Sequence, residues 1–296
     1  MDAADLRIFE AVARLGSMNR AAQELHTVQS NVTTRIRAIE DSLGIALFQR
    51  HARGVTLTAA GQRMLPFAGR IAKLLAEAQA AAQDEGEPTG TLQVGSLETT
   101  AALRLSNLLT MFATSYPNVH LAVTTGTTSH LVTEVVECRL DGAFVAAPID
   151  HPQLIHEPIF REELVLVTAR AIRTPRDLAG IDALKTIVFR AGCSYRQRLD
   201  TVLAQMGIVV AQPQEFGSLD AIIACVSAGI GVTLLPRGTV APAVREGRVA
   251  IHPVAPQIGA VETLFVRRRD AYESSAMRAF LDVARAQAMP PAQAAE

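Results

Sequence analysis

Residues 17–50 read "SMNRAAQELHTVQSNVTTRIRAIEDSLGIALFQR", two helix-like patterns around one short break that run into an arginine-flanked segment. In the second pattern Val32, Ile36, Ile39 and Leu43 recur at spacings of three and four, the signature of a helix with one buried stripe. It opens near Thr27 and stops at Gly44. The first pattern starts at Ser17, a good N-cap residue, and buries Ala21, Ala22 and Leu25. Upstream, residues 3–15 place Leu6, Phe9, Val12 and Ala13 on one face before Gly16. Three short helices sharing one small core are therefore predicted.

What the third helix leaves outside that core is unusual in composition. Gln29, Ser30, Thr33, Thr34 and Arg37 face out, Asn31 and Arg35 lie on the flanks, and no acid interrupts the face before Glu40. Gln and Asn can pair with adenine, Arg with guanine, and Thr methyls can touch thymine, so such a helix suits the DNA major groove. The shorter helix before it would brace it across the backbone. A solvated face of a three-helix bundle has a similar composition, so the neighbouring residues have to decide. They do: "LFQRHARGVTLTAAGQ", residues 47–62, puts Arg50, His51 and Arg53 in a turn before the β-type segment "VTLT", which reads as a basic wing. Between residues 28 and 58 four arginines (Arg35, Arg37, Arg50, Arg53) face only Glu40 and Asp41, a local excess placed for phosphate contacts. The whole chain carries a net charge of −1, so any contact with nucleic acid has to come from such a patch.

The remaining bounds are broad. With 296 residues and 49% apolar content the chain belongs among ordinary globular proteins, with about two or three domains. "MDAADLRIFE" has neither the basic region nor the apolar core of a signal peptide, and no run approaches the roughly 18 apolar residues that span a bilayer. A cytoplasmic protein with no membrane association is expected. Cys138, Cys193 and Cys225 are too few and too scattered for a disulfide framework or a CxxC metal site, so no metal and no cofactor are expected. Met64, Phe67, Ile71, Leu74, Ala78 and Ala81 form an a/d heptad seam, which predicts a helix that pairs with another. Pro66 should kink it or confine its regular part to the residues that follow. "QDEGEPTG", residues 83–90, is charged, aperiodic and carries Gly and Pro, the composition of a hinge.

Beyond the hinge, β-rich runs such as "TLQVG", "VHLAVTT", "GAFVAA", "LVLVTA", "TIVF" and "GVTLLP" alternate with helical patterns, as in α/β folds. Roughly 200 residues of this alternation exceed one compact sheet and predict two similar α/β lobes.

These residues carry a resemblance. "LRIFEAVARLGSMNRAAQELHTVQSNVTTRIRAIEDSLGIALFQRHARGVTLTAAG" is similar almost position by position to the N-terminal winged helix-turn-helix of LysR-type transcriptional regulators, including "AAQELH", Gln29 opening the reading helix, "IRAIEDSLG", "LFQR" and "LTAAG". The resemblance extends over essentially the whole chain. It implies a mainly α winged helix-turn-helix at residues 1–58, a dimerising linker helix at 59–85, a hinge at 86–90 and a two-lobed, periplasmic-binding-protein-like effector domain at 91–296. In that domain lobe I takes residues 91–162 and 267–296 and lobe II takes 163–266. Val28 and Ser30 stand where many members carry Ser and Pro, so Thr27 is expected to take over the cap of the reading helix. Double-stranded DNA, a small organic anion as effector, a homodimer or homotetramer, and RNA polymerase in the case of an activator are the implied partners.

In such domains an effector sits between the lobes, where backbone amides at strand ends and helix N-termini can hold a small anion. The strand-to-helix junctions supply the candidates, and the resemblance puts effector contacts at the same places: Thr99 and Thr100, Thr127 and Thr128, Cys193 and Ser194, Gly217 and Ser218. Each could equally be a plain helix cap. Asp141 reads as structural. Two rival readings remain. In one, Cys193 in "AGCSY" is an enzymic nucleophile at a helix start, but no motif supplies its base and the nearest histidines, His151 and His156, fall in an expected loop. In the other, Cys193 and Cys225 carry a redox signal.

Overall fold

In the computed structural model, residues 1–51, 54–181, 183–208, 210 and 213–288 are described. The chain divides into two compact units whose main break lies between Glu85 and Gly86, with Glu137–Arg139 grouped with the first. Among the described residues no helix is long and apolar enough to cross a membrane.

The first unit is built as the periodicity demands. Helix α1 (Ala3–Leu15) opens with a capping box, in which Asp2 and Asp5 each accept the other's backbone N–H at 2.8 Å. Ser17 caps α2 (Met18–Glu24) by accepting from the Arg20 N–H, and α3 (Gln29–Leu43) ends on Gly44 in the left-handed region. Leu6, Phe9 and Val12 of α1, Ala21 and Ala22 of α2, and Val32, Ile36 and Ile39 of α3 form one core. Leu47 and Phe48 close it, and the chain turns into a hairpin of β1 (Phe48–His51) and β2 (Gly54–Leu57). Helix α4 (Ala59–Gln83) then starts at Thr58, whose hydroxyl accepts from the Gly61 N–H. Gly61 passes so close to the Leu47 carbonyl that any Cβ would collide with it, which gives the glycine of "LTAAG" its physical reason.

Three local expectations change. The N-cap of α3 is Val28, which has no side-chain acceptor; the Thr27 hydroxyl accepts instead from the Asn31 side-chain amide at 3.0 Å. Leu43 is exposed, because Leu47 and Phe48 already close the core beyond the last turn of α3. Helix α4 is not confined to the residues after Pro66 but runs through it, since the ring removes only the one bond to the Gln62 carbonyl. Along this helix Met64 and Leu65 pack on the small core, while Phe67 (62% exposed), Ile71, Leu74 and Leu75 stand in solvent.

The second unit begins with β3 (Gly90–Leu97). A helical run follows, made of α5 (Glu98–Thr100), a π-helical segment (Ala101–Leu105) and α6 (Ser106–Ser115), then β4 (Val119–Gly126), α7 (Thr128–Val136), β5 (Gly142–Ala146) and β6 (Leu154–Ala169). The chain continues through a 3-10 turn (Pro175–Gly180), β7 (Ile187–Phe189), α8 (Ser194–Gln205), β8 (Gln214–Phe216), α9 (Leu219–Ser227), β9 (Thr233–Pro236), α10 (Arg237–Arg245) and β10 (Val249–Pro253). It closes with α11 (Pro256–Gly259), β11 (Ala260–Arg268) and α12 (Ser275–Ala288). Strand β3 lies parallel to β4 and β5, and β11 runs antiparallel between β5 and β6.

One strand makes two lobes out of this unit. From Leu154 to Glu163 β6 pairs with β11 in the first lobe; from Leu164 to Ala169 the same strand pairs with β9 and β10 in the second. Only its apolar second half, "LVLVTA", stands out in the sequence. The first half contains Pro158, tolerated because the register of β6 against β11 shifts there, between Thr263 and Leu264. The return into the first lobe comes with β11, which pairs with β5 from Thr263, earlier than residue 267. Val261 through Val266 are buried on both faces apart from Glu262, so their sequence does not say to which lobe they belong. An apolar cluster including Leu97, Leu131, Leu164, Leu166, Tyr195 and Leu234 runs through both lobes. As the sequence implied, Asp141 is structural: its carboxylate accepts from the Gln93 N–H at 2.7 Å, and its own N–H donates to the Gln93 carbonyl.

Candidate functional site

Helix α3 separates its faces sharply. Val32 and Ile36 are fully buried and Ile39 nearly so, whereas Gln29, Ser30, Asn31, Thr34 and Arg37 are exposed and Thr33 is half-buried. Arg35 departs from the expectation of a DNA-facing residue. Its Nη1 lies 2.6 Å from Asp5 Oδ1 and 3.3 Å from Asp2 Oδ1, so it ties α3 to the start of α1. The bond with Asp5 holds the guanidinium pKa up, and the Asp5 amide together with Arg35 holds that of Asp2 down. Glu40 is likewise withdrawn from the outer face: its carboxylate accepts the N–H groups of Leu47 (2.7 Å) and Phe48 (3.1 Å) and fixes the entry to the hairpin. Sequence reasoning missed this role. Arg50 and His51 are exposed on β1, and Arg53 lies outside the described residues.

In the second unit a cavity of about 390 Å³ opens between the lobes. Six of the eight expected residues meet there: Thr99, Thr127 and Thr128 from the first lobe, Cys193, Ser194 and Gly217 from the second. Thr100 and Ser218 do not line it. Thr100, one residue further along its helical turn than Thr99, points into the core and is 4% exposed, and Ser218 is exposed at the start of α9. Thr127 is partly a cap, accepting from the His130 N–H at 3.5 Å, and the buried Thr128 hydroxyl accepts from the Ala146 N–H at 3.4 Å. Ser194 is different. It is the first residue of α8, its Oγ is buried, and that oxygen has no hydrogen-bond partner among the described residues. An unmatched buried hydroxyl beside a helix N-terminus is suited to an incoming polar group.

The junction rule missed Glu98, His130, Phe189, Arg190, Tyr195 and Phe216, which also line the cavity. Tyr195 and Arg190 lie within three residues of the Cys193–Ser194 pair, so widening the rule by one turn would have found them. The Thr99 hydroxyl is hydrogen-bonded to the Tyr195 phenol, a link from lobe to lobe, while burial pushes the phenol pKa up to about 12. Burial also raises the Cys193 thiol, more than the amides of Tyr195 and Arg196 lower it. That is the opposite of an activated nucleophile.

Two family models match the chain: "Bacterial regulatory helix-turn-helix protein, lysR family" over residues 3–62 and "LysR substrate binding domain" over residues 85–289. The chain belongs to the LysR family of transcriptional regulators. It is a DNA-binding LysR-type regulator with an effector-binding domain. Over 276 residues this LysR-type chain is 41% identical to the HTH-type transcriptional regulator GltR of Bacillus subtilis, a match that covers 93% of each chain. Among solved structures the LysR regulator resembles CbnR in complex with its target DNA, at 26% identity and a TM-score of 0.67 over 97% of this chain and 100% of that one. A full-length OxyR variant of Pseudomonas aeruginosa has the same fold, with 20% identity and a TM-score of 0.73 over 100% and 99% of the two chains.

Proposed function

We propose that this regulator reads its operator with Gln29, Ser30, Asn31, Thr33, Thr34 and Arg37 of α3 in a major groove, and that Arg50 and Arg53 of the wing contact phosphates. Arg35 braces the reading helix from behind. The observation that carries this reading is the polar face of α3, exposed and without an acid from Gln29 to Arg37, over the buried stripe of Val32, Ile36 and Ile39. The CbnR relative was solved on its target DNA, which supports the same use of the first domain here. Helix α4 joins two copies through Phe67, Ile71 and Leu74, and pairs of such dimers form a homotetramer. The working boundaries are 1–58 for DNA binding, 59–85 for dimerisation, 86–90 for the hinge and 91–296 for the effector domain. The target places the protein in the cytoplasm, where an activating form would also meet RNA polymerase.

The cavity takes a small organic anion, held by Thr99, Thr127, Thr128, Ser194 and the backbone around Cys193 and Gly217. Binding between the lobes biases their closure, and closure alters operator binding or transcription. A thermal-shift screen of small carboxylates and amino acids tests this. A true effector stabilises the protein by about 2.7 kcal/mol at a hundredfold excess over its dissociation constant and shifts the operator footprint. A protein that no small anion stabilises would remove the effector part of the reading. The same reading makes the protein a regulator and not an enzyme, and burial raises the pKa of Cys193, the thiol most suited to be a nucleophile. Alkylation of Cys193 by iodoacetamide should be slow at neutral pH, rise steadily with pH and level off only above the range where an ordinary thiol does. Fast labelling at pH 7, read by mass spectrometry, would revive the nucleophile and redox readings.

A further inference from the structure

The acids and bases around the lobe crossing are neutralised in pairs. Arg104 meets Glu162 at 2.8 Å, Arg196 meets Glu215 at 2.7 Å, and Arg237 meets Glu163 at 2.6 Å. Among the side chains that line the cavity between the lobes, one acid and one arginine break this pattern. Glu98, at the start of α5 in the first lobe, and Arg190, just after β7 in the second, have no ion-pair or hydrogen-bond partner among the described residues. They are not paired with each other. Arg190 lies over Gly217, where a Cβ would stand 3.5 Å from its Nη2, in ordinary van der Waals contact. The other ionisable side chain that can carry charge there, His130, lies 4.0 Å from Glu134.

Glu98 is half-buried and Arg190 exposed; a ligand that covers them takes both charges from water and has to answer each. A simple carboxylate would satisfy Arg190 and the unmatched Ser194 hydroxyl but would leave the Glu98 carboxylate facing a second anion. A simple amine would satisfy Glu98 and abandon Arg190. A molecule with both charges meets both. Leu97, Phe189 and Phe216 add an apolar part to the lining, and about 390 Å³ falls at the small end of ligand pockets. We propose that the effector is an α-amino acid with an apolar side chain, its carboxylate towards Arg190 and the Ser194 hydroxyl, its ammonium towards Glu98. The inference rests on the effector reading of the cavity and narrows the anion to a zwitterion.

The test uses the full-length wild-type protein and calorimetric titration with aliphatic and aromatic amino acids. Each is matched to the carboxylic acid that lacks its amino group and to the amine that lacks its carboxylate: L-phenylalanine, 3-phenylpropionate and 2-phenylethylamine, for example. At least one amino acid is expected to bind about ten- to a hundredfold tighter than both of its partners, the worth of a charge-assisted hydrogen bond at each end. Glu98→Gln should erase the advantage over the carboxylate, and Arg190→Gln the advantage over the amine. If carboxylates bind as well as the amino acids, the zwitterion is wrong while the anion cavity stands. If none of the probes binds, both readings fall. An amino acid whose advantage over its carboxylate survives Glu98→Gln removes Glu98 from the site, and the inference with it.

Discussion

Helices α3 and α8 both offer their first turn to a ligand, yet they differ in how that ligand would be met. The first turn of α3 stands in water with Gln29, Ser30 and Asn31 exposed, and the residues proposed to read DNA belong to one short stretch. The first turn of α8 is enclosed: Tyr195 is 4% exposed, the Ser194 oxygen is buried, and the facing wall comes from Thr99, Thr127 and Thr128, far away in the chain. A surface reader can be specified locally, because the partner brings the other half of the site. A cavity has to be assembled from distant segments before any of its residues acquires a role.

The two regions can be broken separately. The largest effect is expected from Ile71→Asp with Leu74→Asp on α4: the mass in light scattering should halve, and operator affinity should fall by about two orders of magnitude or more as two-site binding is lost. Wild-type mass would show that this face is not the seam. On α3, Gln29→Ala should cost about 1–3 kcal/mol of discrimination at one base position with little change on unrelated DNA. By contrast, Arg50→Ala should weaken binding evenly and flatten the slope of log affinity against log salt by about 0.9. If Gln29→Ala also weakens all sequences alike, α3 does not read bases.

In the cavity, Ser194→Ala should act in opposite directions on the two states. Removing an unmatched buried hydroxyl should raise the stability of the empty protein by up to about 1 kcal/mol, whereas effector affinity should drop about two- to tenfold. Thermal unfolding without ligand and titration with it separate the two. A loss in both measurements would make Ser194 a structural residue. The smallest effect belongs to Thr100→Val and Ser218→Ala, whose side chains do not line the cavity: effector affinity should stay within about twofold of wild type, below the worth of one hydrogen bond.

Much of this was legible in the sequence, for identifiable reasons. The buried stripe of α3 as far as Ile39, the Ser17 cap and the Gly16 and Gly44 stops depend on neighbours within one or two turns, and each appears where the pattern places it. The junction rule found six residues of the cavity lining because strand ends and helix starts are local features. What it could not supply were the consequences of packing: Arg35 turned towards Asp5, Glu40 turned towards the hairpin, Thr100 turned into the core, and a strand β6 whose first half carries a proline and little apolar character. That Arg190 and Glu98 stand unpaired was invisible for a related reason, since an unpaired charge is defined by who fails to approach it.

Strand β6 also sets the rules for re-engineering this domain. Because β6 and the return through β11 both join the lobes, the second lobe is an insertion within the first, and it cannot be exchanged by a single cut. A sensor hybrid would need two splice points, one near Glu163–Leu164 and one before Ala260, placed in matching phase. A slip of one residue in β6 would invert the inward and outward faces on both sides of the junction at once. Grafts that respect this phase keep both cores; grafts cut at loops inside either lobe leave a half-sheet with an open edge and a tendency to aggregate.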